Sequence, residues 1–206
     1  MQTTKEMNQE IADVDSQGRS QDGIKDSASY MFAFIMATGV RVGELCALET
    51  GDISWVKKYI DITKTAVRFK YNPTGKESIK VSPPKTECSN RRVPLSPAVE
   101  DILDKQALLV SEMQARAGDK WNDNTLVFPT AEGNIHDPFA ARSMIERFLK
   151  REGKADTSIY AARHAYAAAA MNNGVSAQDV ARALGVKDYA AQDTADIYRE
   201  RGPRER

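Results

Sequence analysis

The chain has 206 residues, 41% of them hydrophobic, which is enough for one globular domain with its own core. Its 29 basic and 29 acidic residues cancel to a formal net charge of zero, which argues against the basic surface common in nucleic-acid-binding proteins. A neutral chain can still gather positive charges in one cleft, so nucleic-acid binding is not excluded. No stretch approaches the roughly 20 apolar residues of a membrane span, and the polar N-terminus lacks the core of a signal peptide.

The cysteine content indicates neither a disulfide framework nor a metal site. Cys46 falls in an apolar helical run and Cys88 in a polar turn, and the two lack the paired spacing that metal sites show. We therefore predict two free thiols in a reducing compartment. A soluble, cytoplasmic protein is expected.

The N-terminal quarter contains a polar segment followed by two helices. Residues 1–25 carry few large apolar side chains, which predicts a linker or a frayed lead-in, so the folded domain is expected to span residues 26–206. An apolar run over residues 30–36 predicts a helix that ends at Gly39, and residues 42–49 predict a second helix. Arg41 lies at the junction of the two.

The middle of the chain changes to a strand pattern. Between residues 53 and 95, short runs of β-branched side chains are separated by proline-containing turns at 72–75 and 82–84, which predicts a small antiparallel sheet. Helices are predicted after Ser96-Pro97 and Asp137-Pro138, because each pair combines a capping side chain with a proline at the first helical position.

The last part of the chain is predicted to be helical. An alanine-rich helix over residues 159–172 precedes a helix that starts at Ser176, where Asp179 completes a pattern similar to a capping box, and a final helix carries Tyr198. The predicted fold is therefore mainly α with a small antiparallel β-sheet, of the α+β class.

Four segments carry residue types that suit chemistry on a phosphate. Residues 38–48 (TGVRVGELCAL) place Glu44 three positions after Arg41, which on its own could be a surface ion pair. Residues 84–95 (PKTECSNRRVPL) place Lys85 on a turn, where a lysine is normally only solvated. Residues 160–166 (YAARHAY) contain Arg163, and Tyr198 follows further along the chain.

These segments together resemble the tyrosine recombinase (phage integrase) family over about residues 30–202. The first resembles the family's first-arginine segment and the second its hairpin-lysine segment. The third resembles the second-arginine segment, and the run that ends at residues 184–186 (LGV) is similar to the family's leucine-glycine-histidine run. Two positions depart from the family pattern, since Tyr160 and Val186 stand where the family usually has histidine.

The resemblance implies a role for each matched residue. Arg41 and Arg163 are expected to hold the non-bridging oxygens of a DNA phosphodiester, Lys85 to act as the general acid, and Tyr198 to attack phosphorus. Tyr160 occupies the position of the residue that assists proton transfer in the family. The residues expected to support the site are Glu44 and His164. Those expected to contact DNA are Arg91, Arg92, Lys187 and Arg199.

The implied function is site-specific DNA recombination through a 3′-phosphotyrosyl intermediate, in the integration or excision of a mobile element. This chemistry conserves the bond energy, so no metal and no cofactor are expected. The resemblance also implies double-stranded DNA as partner and a homotetramer on DNA. The family's N-terminal core-binding domain is expected to be absent, either because the chain is a catalytic fragment or because the domain has been lost, and a monomer in isolation is expected to follow. Type IB topoisomerases share this chemistry. Two further alternatives remain open. One is a catalytically impaired integrase-like protein. The other is a helix-turn-helix DNA-binding module over residues 175–186, with the Tyr198 helix as its recognition helix.

Overall fold

A computed structural model describes residues 27–69, 78–83 and 89–186 of the chain. The predicted lead-in and the predicted last helix lie outside these ranges. So do four of the predicted functional residues: Lys85, Lys187, Tyr198 and Arg199.

Helices make up most of the described chain, as predicted. The α-helices are α1 (Ser27–Thr38), α2 (Val42–Cys46), α3 (Pro97–Ala117), α4 (Pro138–Arg151), α5 (Ile159–Asn172) and α6 (Ala177–Leu184). The strands are β1 (Ile53–Ser54), β2 (Tyr59–Ile62), β3 (Thr65–Phe69), β4 (Ser78–Ser82) and β5 (Arg91–Pro94). Within the described ranges, no helix is both long enough and apolar enough to cross a membrane.

Helix α1 forms the centre of the core. Ten of its 12 residues are buried, because a helix that is apolar around its whole circumference has to be covered on every side. Helices α3, α4 and α5 pack against it. The helix ends at Gly39, which adopts a φ of +67° that favours glycine, so the end predicted from the sequence is confirmed.

The predicted helix starts are confirmed by their caps. Ser96 Oγ accepts a hydrogen bond from the backbone N–H of Val99 (3.4 Å) at the start of α3, and the Asp137 carboxylate caps α4. Ser176 Oγ accepts one from the N–H of Asp179 (3.1 Å) at the start of α6. Each cap involves residues only two or three positions apart, which explains why the helix starts could be predicted from the sequence.

The strands form two antiparallel sheets, whereas a single sheet was expected. One has the order β1-β2-β5, and the other pairs β3 with β4. Only two residues separate β2 from β3, but the strands bury their side chains in different places. Ile60 and Ile62 of β2 join the main core, while Ala66 of β3 joins a small separate cluster with Cys46 and Ala141.

Helix α2 is shorter than the predicted helix over residues 42–49. The chain leaves the helix after Cys46 because the backbone of the next residues pairs with a distant segment. The N–H of Val127 donates to the carbonyl of Leu48 (2.9 Å), and the N–H of Thr50 donates to that of Thr125 (2.8 Å). Tertiary pairing therefore overrides the local helical pattern.

Cys46 is a buried free thiol, as expected, and Cys88 lies outside the described residues. Burial, with a smaller contribution from the charge of Asp137, raises the pKa of Cys46 to about 12. Its thiol therefore stays protonated at neutral pH and serves as a core side chain.

Phe34→Ala is expected to lower the free energy of unfolding by about 3–5 kcal/mol, because the side chain is completely buried and leaves a cavity. The Phe34 ring packs edge-on against Phe128, with 5.3 Å between ring centroids. Urea denaturation measures the difference. The control is Leu108→Ala, at a side chain that is 68% exposed, which should change stability by less than about 0.5 kcal/mol. Equal effects of the two substitutions would contradict the assigned core.

Candidate active site

Arg41 and Glu44 form the first part of the site, at the N-terminus of α2. The Glu44 carboxylate accepts a hydrogen bond from the backbone N–H of Arg41 (2.8 Å) and another from Arg41 Nη1 (3.0 Å). The exposure of the two side chains differs greatly, at 42% for Arg41 and 3% for Glu44. The pair is thus more than a surface ion pair, since its acidic member is buried while its basic member reaches the surface.

Arg91 binds the same carboxylate from strand β5. Arg91 Nη1 donates to Glu44 Oε1 (3.0 Å) and Nη2 donates to Oε2 (2.7 Å), which is the bidentate geometry that a guanidinium favours. The side chains of both residues are only 3% exposed. Burial of Arg91 does not fit the DNA contact that the sequence suggested for it.

A signal for this burial was available in the sequence. Arg91 and Val93 share one face of β5, because side chains alternate along a strand, and both are buried while Arg92 and Pro94 are exposed. The apolar residue two positions along therefore marks the inward face.

The Glu44 carboxylate is ionised under ordinary conditions. Its burial alone would raise its pKa, but the hydrogen bonds and positive charges of Arg91 and Arg41 hold the pKa below its ordinary value of 4.5. Four hydrogen bonds from the two arginines satisfy its oxygens.

Arg163 brings the second arginine segment to the first. It lies in α5, where its Nη1 donates to the carbonyl of Gly39, two residues before Arg41. Its Nη2 donates to the carbonyl of Leu184 at the end of α6 (3.3 Å). Since Arg41 Nη2 donates to the next carbonyl, that of Gly185 (3.0 Å), the two predicted phosphate-binding arginines meet at one place.

The C-terminus of α6 accepts hydrogen bonds from three arginines. Arg91 Nε donates to the carbonyl of Ala183 (2.6 Å), and the carbonyls of residues 184 and 185 accept from Arg163 and Arg41. The last carbonyls of a helix lack partners inside it and carry the negative end of its dipole, so they attract guanidinium groups. We name this group of three arginines, with Glu44, the arginine cluster; three positive charges face one negative charge in it.

Gly185 permits the close approach of these groups. It adopts a φ of +65° and closes α6 in the left-handed conformation. A Cβ atom at this position would lie 3.1 Å from Arg91 Nη1 and 3.2 Å from Arg41 Nη1. The backbone conformation therefore favours glycine here, and a Cβ atom would make the nearby guanidinium groups shift by a few tenths of an ångström.

Tyr160 and His164 lie on α5, three residues before Arg163 and one residue after it. The side chain of Tyr160 is largely exposed, at 60%, and its ring meets the His164 ring edge-on with 4.1 Å between centroids. The contact follows from their spacing of four residues on a helix. His164 is partly buried, a position that suits the supporting role expected for it.

Arg92 is the exposed basic residue of β5. It forms an ion pair with Asp61 on the neighbouring strand (3.0 Å) and lies over the ring of Tyr59, 4.2 Å from its centroid. In residues 27–69, 78–83 and 89–186, no group of three or more histidine, cysteine, aspartate or glutamate side chains is arranged to hold a metal ion.

Comparison with known proteins gives the family. A family model described as the phage integrase family matches residues 2–201. A "Tyrosine recombinase XerC-like" protein of Caldanaerobacter subterraneus is 28% identical over 176 residues, which are 82% of this chain and 44% of that protein. "Tyrosine recombinase XerC" of Bifidobacterium longum is 25% identical over 151 residues, covering 73% of this chain and 38% of the relative.

Solved structures share the fold. The integrase of transposon Tn1549, in complex with transposon right end DNA, superposes with a TM-score of 0.69 at 16% identity, over 97% of this chain and 64% of that one. XerA recombinase gives a TM-score of 0.61 at 18% identity, over 98% of this chain and 64% of that one.

The fold is that of the tyrosine recombinase catalytic domain. The chain belongs to the phage integrase family. It spans less than half the length of the curated relatives named above.

Proposed function

We propose that this chain cleaves and rejoins DNA strands as the catalytic part of a site-specific recombinase. The observation that supports this most strongly is the meeting of Arg41 and Arg163, which come from segments far apart in sequence, at the end of α6. The Arg41 side chain is 42% exposed, so the cluster is open to a ligand from outside. Its excess of positive over negative charge suits an anionic ligand such as a phosphodiester.

In the proposed reaction the two guanidinium groups neutralise the phosphate. Arg41 and Arg163 stay charged at any working pH, and their forked donors match the non-bridging oxygens on which negative charge accumulates in the transition state. Because each guanidinium group has five N–H donors, it can bind the phosphate while its hydrogen bonds to backbone carbonyls hold it in place.

Tyr198 is the proposed nucleophile and Lys85 the proposed general acid. The Tyr198 hydroxyl oxygen attacks phosphorus and the bond to the 5′ oxygen breaks, while that oxygen takes a proton from the Lys85 ammonium group. A 3′-phosphotyrosyl bond remains. Attack on it by another 5′ hydroxyl rejoins the strand and releases the tyrosine, so the bond energy is conserved.

Tyr160 is proposed to assist proton transfer at the position where relatives usually have histidine. A tyrosine hydroxyl both donates and accepts hydrogen bonds, but unlike imidazole it does not titrate near neutral pH. Its exposure leaves the hydroxyl accessible to a bound DNA strand or to water. Its role would therefore be to relay a proton.

Double-stranded DNA is the proposed substrate, with a homotetramer as the active assembly on two duplexes and the bacterial cytoplasm, at the nucleoid, as the location. The Tn1549 integrase structure named above is a complex with transposon right end DNA, which supports the choice of substrate. Integration or excision of a mobile element is the proposed outcome. Exposed Arg92, with Lys187 and Arg199, is proposed to contact the DNA backbone.

Covalent capture tests the proposal. The protein is incubated with nicked duplexes tiled across the DNA on both sides of its own gene, and adducts that resist denaturation are isolated and sequenced. We expect wild-type protein to form an adduct and Tyr198→Phe to form none. Tyr189→Phe is the matched control, since it removes the other phenolic hydroxyl between residues 187 and 206, and it should form the adduct.

The possible outcomes separate the alternatives. DNA binding without any adduct would overturn the active-enzyme proposal in favour of an impaired integrase or a helix-turn-helix module. The absence of both DNA binding and an adduct would overturn the proposal altogether. An adduct with Tyr198→Phe would show that another residue is the nucleophile.

A further inference from the structure

We infer that Arg91 is a positioning residue of this site, which fixes the end of α6 and the Glu44 carboxylate relative to the phosphate-binding arginines. The inference rests on the proposed function. Arg91 donates through all three of its nitrogen atoms: Nε to the carbonyl of Ala183, Nη1 to Glu44 and to the carbonyl of Ser89 (3.2 Å), and Nη2 to Glu44.

These hydrogen bonds join three separate parts of the chain. Arg91 belongs to β5, Glu44 to α2, and Ala183 to α6. A buried guanidinium is tolerated only when it is paired and hydrogen-bonded, and at 3% exposure Arg91 has little contact with solvent. Its burial also separates its role from that of Arg41, which reaches the surface.

Arg91 shares both of its main partners with Arg41. Glu44 accepts hydrogen bonds from both arginines, and the end of α6 accepts from both at carbonyls two residues apart. If Arg91 were lost, Glu44 would keep Arg41 as a partner and would hold it more strongly. Arg41 would then be drawn away from the geometry that the transition state requires, although it had not been changed.

The end of α6 also leads into the segment that carries the proposed nucleophile. Residue 187 follows directly after Val186, whose N–H is hydrogen-bonded to the carbonyl of Ala181. Arg91 contacts the carbonyl of Ala183 within this same last turn. Removing that contact should displace the end of α6, whose carbonyls also bind Arg41 and Arg163.

Lysine cannot replace Arg91 in this role. An ammonium group keeps the positive charge, but it is a compact donor and cannot reach both oxygens of a carboxylate and a helix carbonyl in one plane. Arg91→Lys thus separates geometry from charge. A residue that only attracted DNA would be replaced by lysine with a small change in affinity.

The test uses one of the duplexes isolated as an adduct with wild-type protein. It compares the cleavage rate at saturating concentrations of this duplex with the dissociation constant for the same duplex. We expect Arg91→Lys to lower the saturating rate by about 10²-fold, as a displaced reacting group does, with the dissociation constant within about threefold of wild type. Arg142→Lys is the matched control, because Arg142 also pairs with a glutamate, Glu146, but on the exposed surface of α4 (2.8 Å). It should leave both quantities unchanged.

If circular dichroism shows that Arg91→Lys does not fold, a second variant tests the inference. Gly185→Ala changes none of the arginines but adds a Cβ atom close to the guanidinium groups of Arg91 and Arg41. It should give the same pattern, with a lower saturating rate and unchanged affinity. The inference is overturned if folded Arg91→Lys cleaves DNA at the wild-type rate. If Arg91→Lys does not fold, a wild-type rate for Gly185→Ala overturns it. A variant that loses affinity for DNA but keeps the saturating rate also overturns it. Absence of an adduct with wild-type protein instead overturns the proposed function.

Discussion

Arg163→Ala is expected to lower the rate of DNA cleavage by about 10²–10³-fold, which is the usual cost of removing one preorganised donor to the developing charge of a transition state. In this protein Arg163 contacts both the chain before α2 and the end of α6, so it is held in place before DNA arrives. A preorganised donor needs little rearrangement during the reaction, which is why its removal has a large effect.

Single-turnover cleavage of the captured duplex measures the effect of Arg163→Ala. Arg163→Lys should recover only a small part of the rate, because one ammonium group cannot reproduce the two directed bonds of the guanidinium. The matched control is Arg142→Ala, at an arginine that is 60% exposed and remote in sequence from the motifs. Cleavage at the wild-type rate by folded Arg163→Ala would exclude this residue from the phosphate site.

Glu44→Gln is expected to lower the free energy of unfolding by about 3–5 kcal/mol at pH 7, because it leaves the buried charge of Arg91 without its counterion. The loss should depend on pH. The folded-state pKa of Glu44 lies below its ordinary value of 4.5, so its ionised form stabilises the fold above that value. This stabilisation disappears as the pH falls through the folded-state pKa, and the difference between variant and wild type should shrink there.

Urea denaturation at a series of pH values from 7 downward checks the prediction for Glu44. Glu146→Gln removes an exposed glutamate that also pairs with an arginine, and its effect should stay below about 1 kcal/mol at every pH. A pH-independent difference for Glu44→Gln would show that the carboxylate is not ionised through its arginine partners.

Much of the helical framework could be predicted from sequence because its signals are local. Ser96, Asp137 and Ser176 mark helix starts through hydrogen bonds to residues two or three positions away, and all three starts were located correctly. The contact between Arg41 and Glu44 is of the same kind, since three residues on a helix bring their side chains together.

The remaining features depend on contacts between distant segments. The early end of α2 and the division of the strands into two sheets follow from pairing with residues 125–127 and from two separate core clusters. The interior position of Arg91 depends on Glu44 and Ala183, which belong to other elements. The charge of Arg91 suggested a surface residue, whereas its register with Val93 indicated the interior.

The three arginines at the end of α6 recognise peptide carbonyls, and a carbonyl is present whatever side chain a residue carries. The side chain at position 183 can therefore change without removing the carbonyl that Arg91 binds. Leu184 and Val186 are constrained for another reason, because both pack in the small core cluster between α5 and α6. Position 185 must keep a residue that tolerates a positive φ, so this part of the site depends on backbone conformation and core packing.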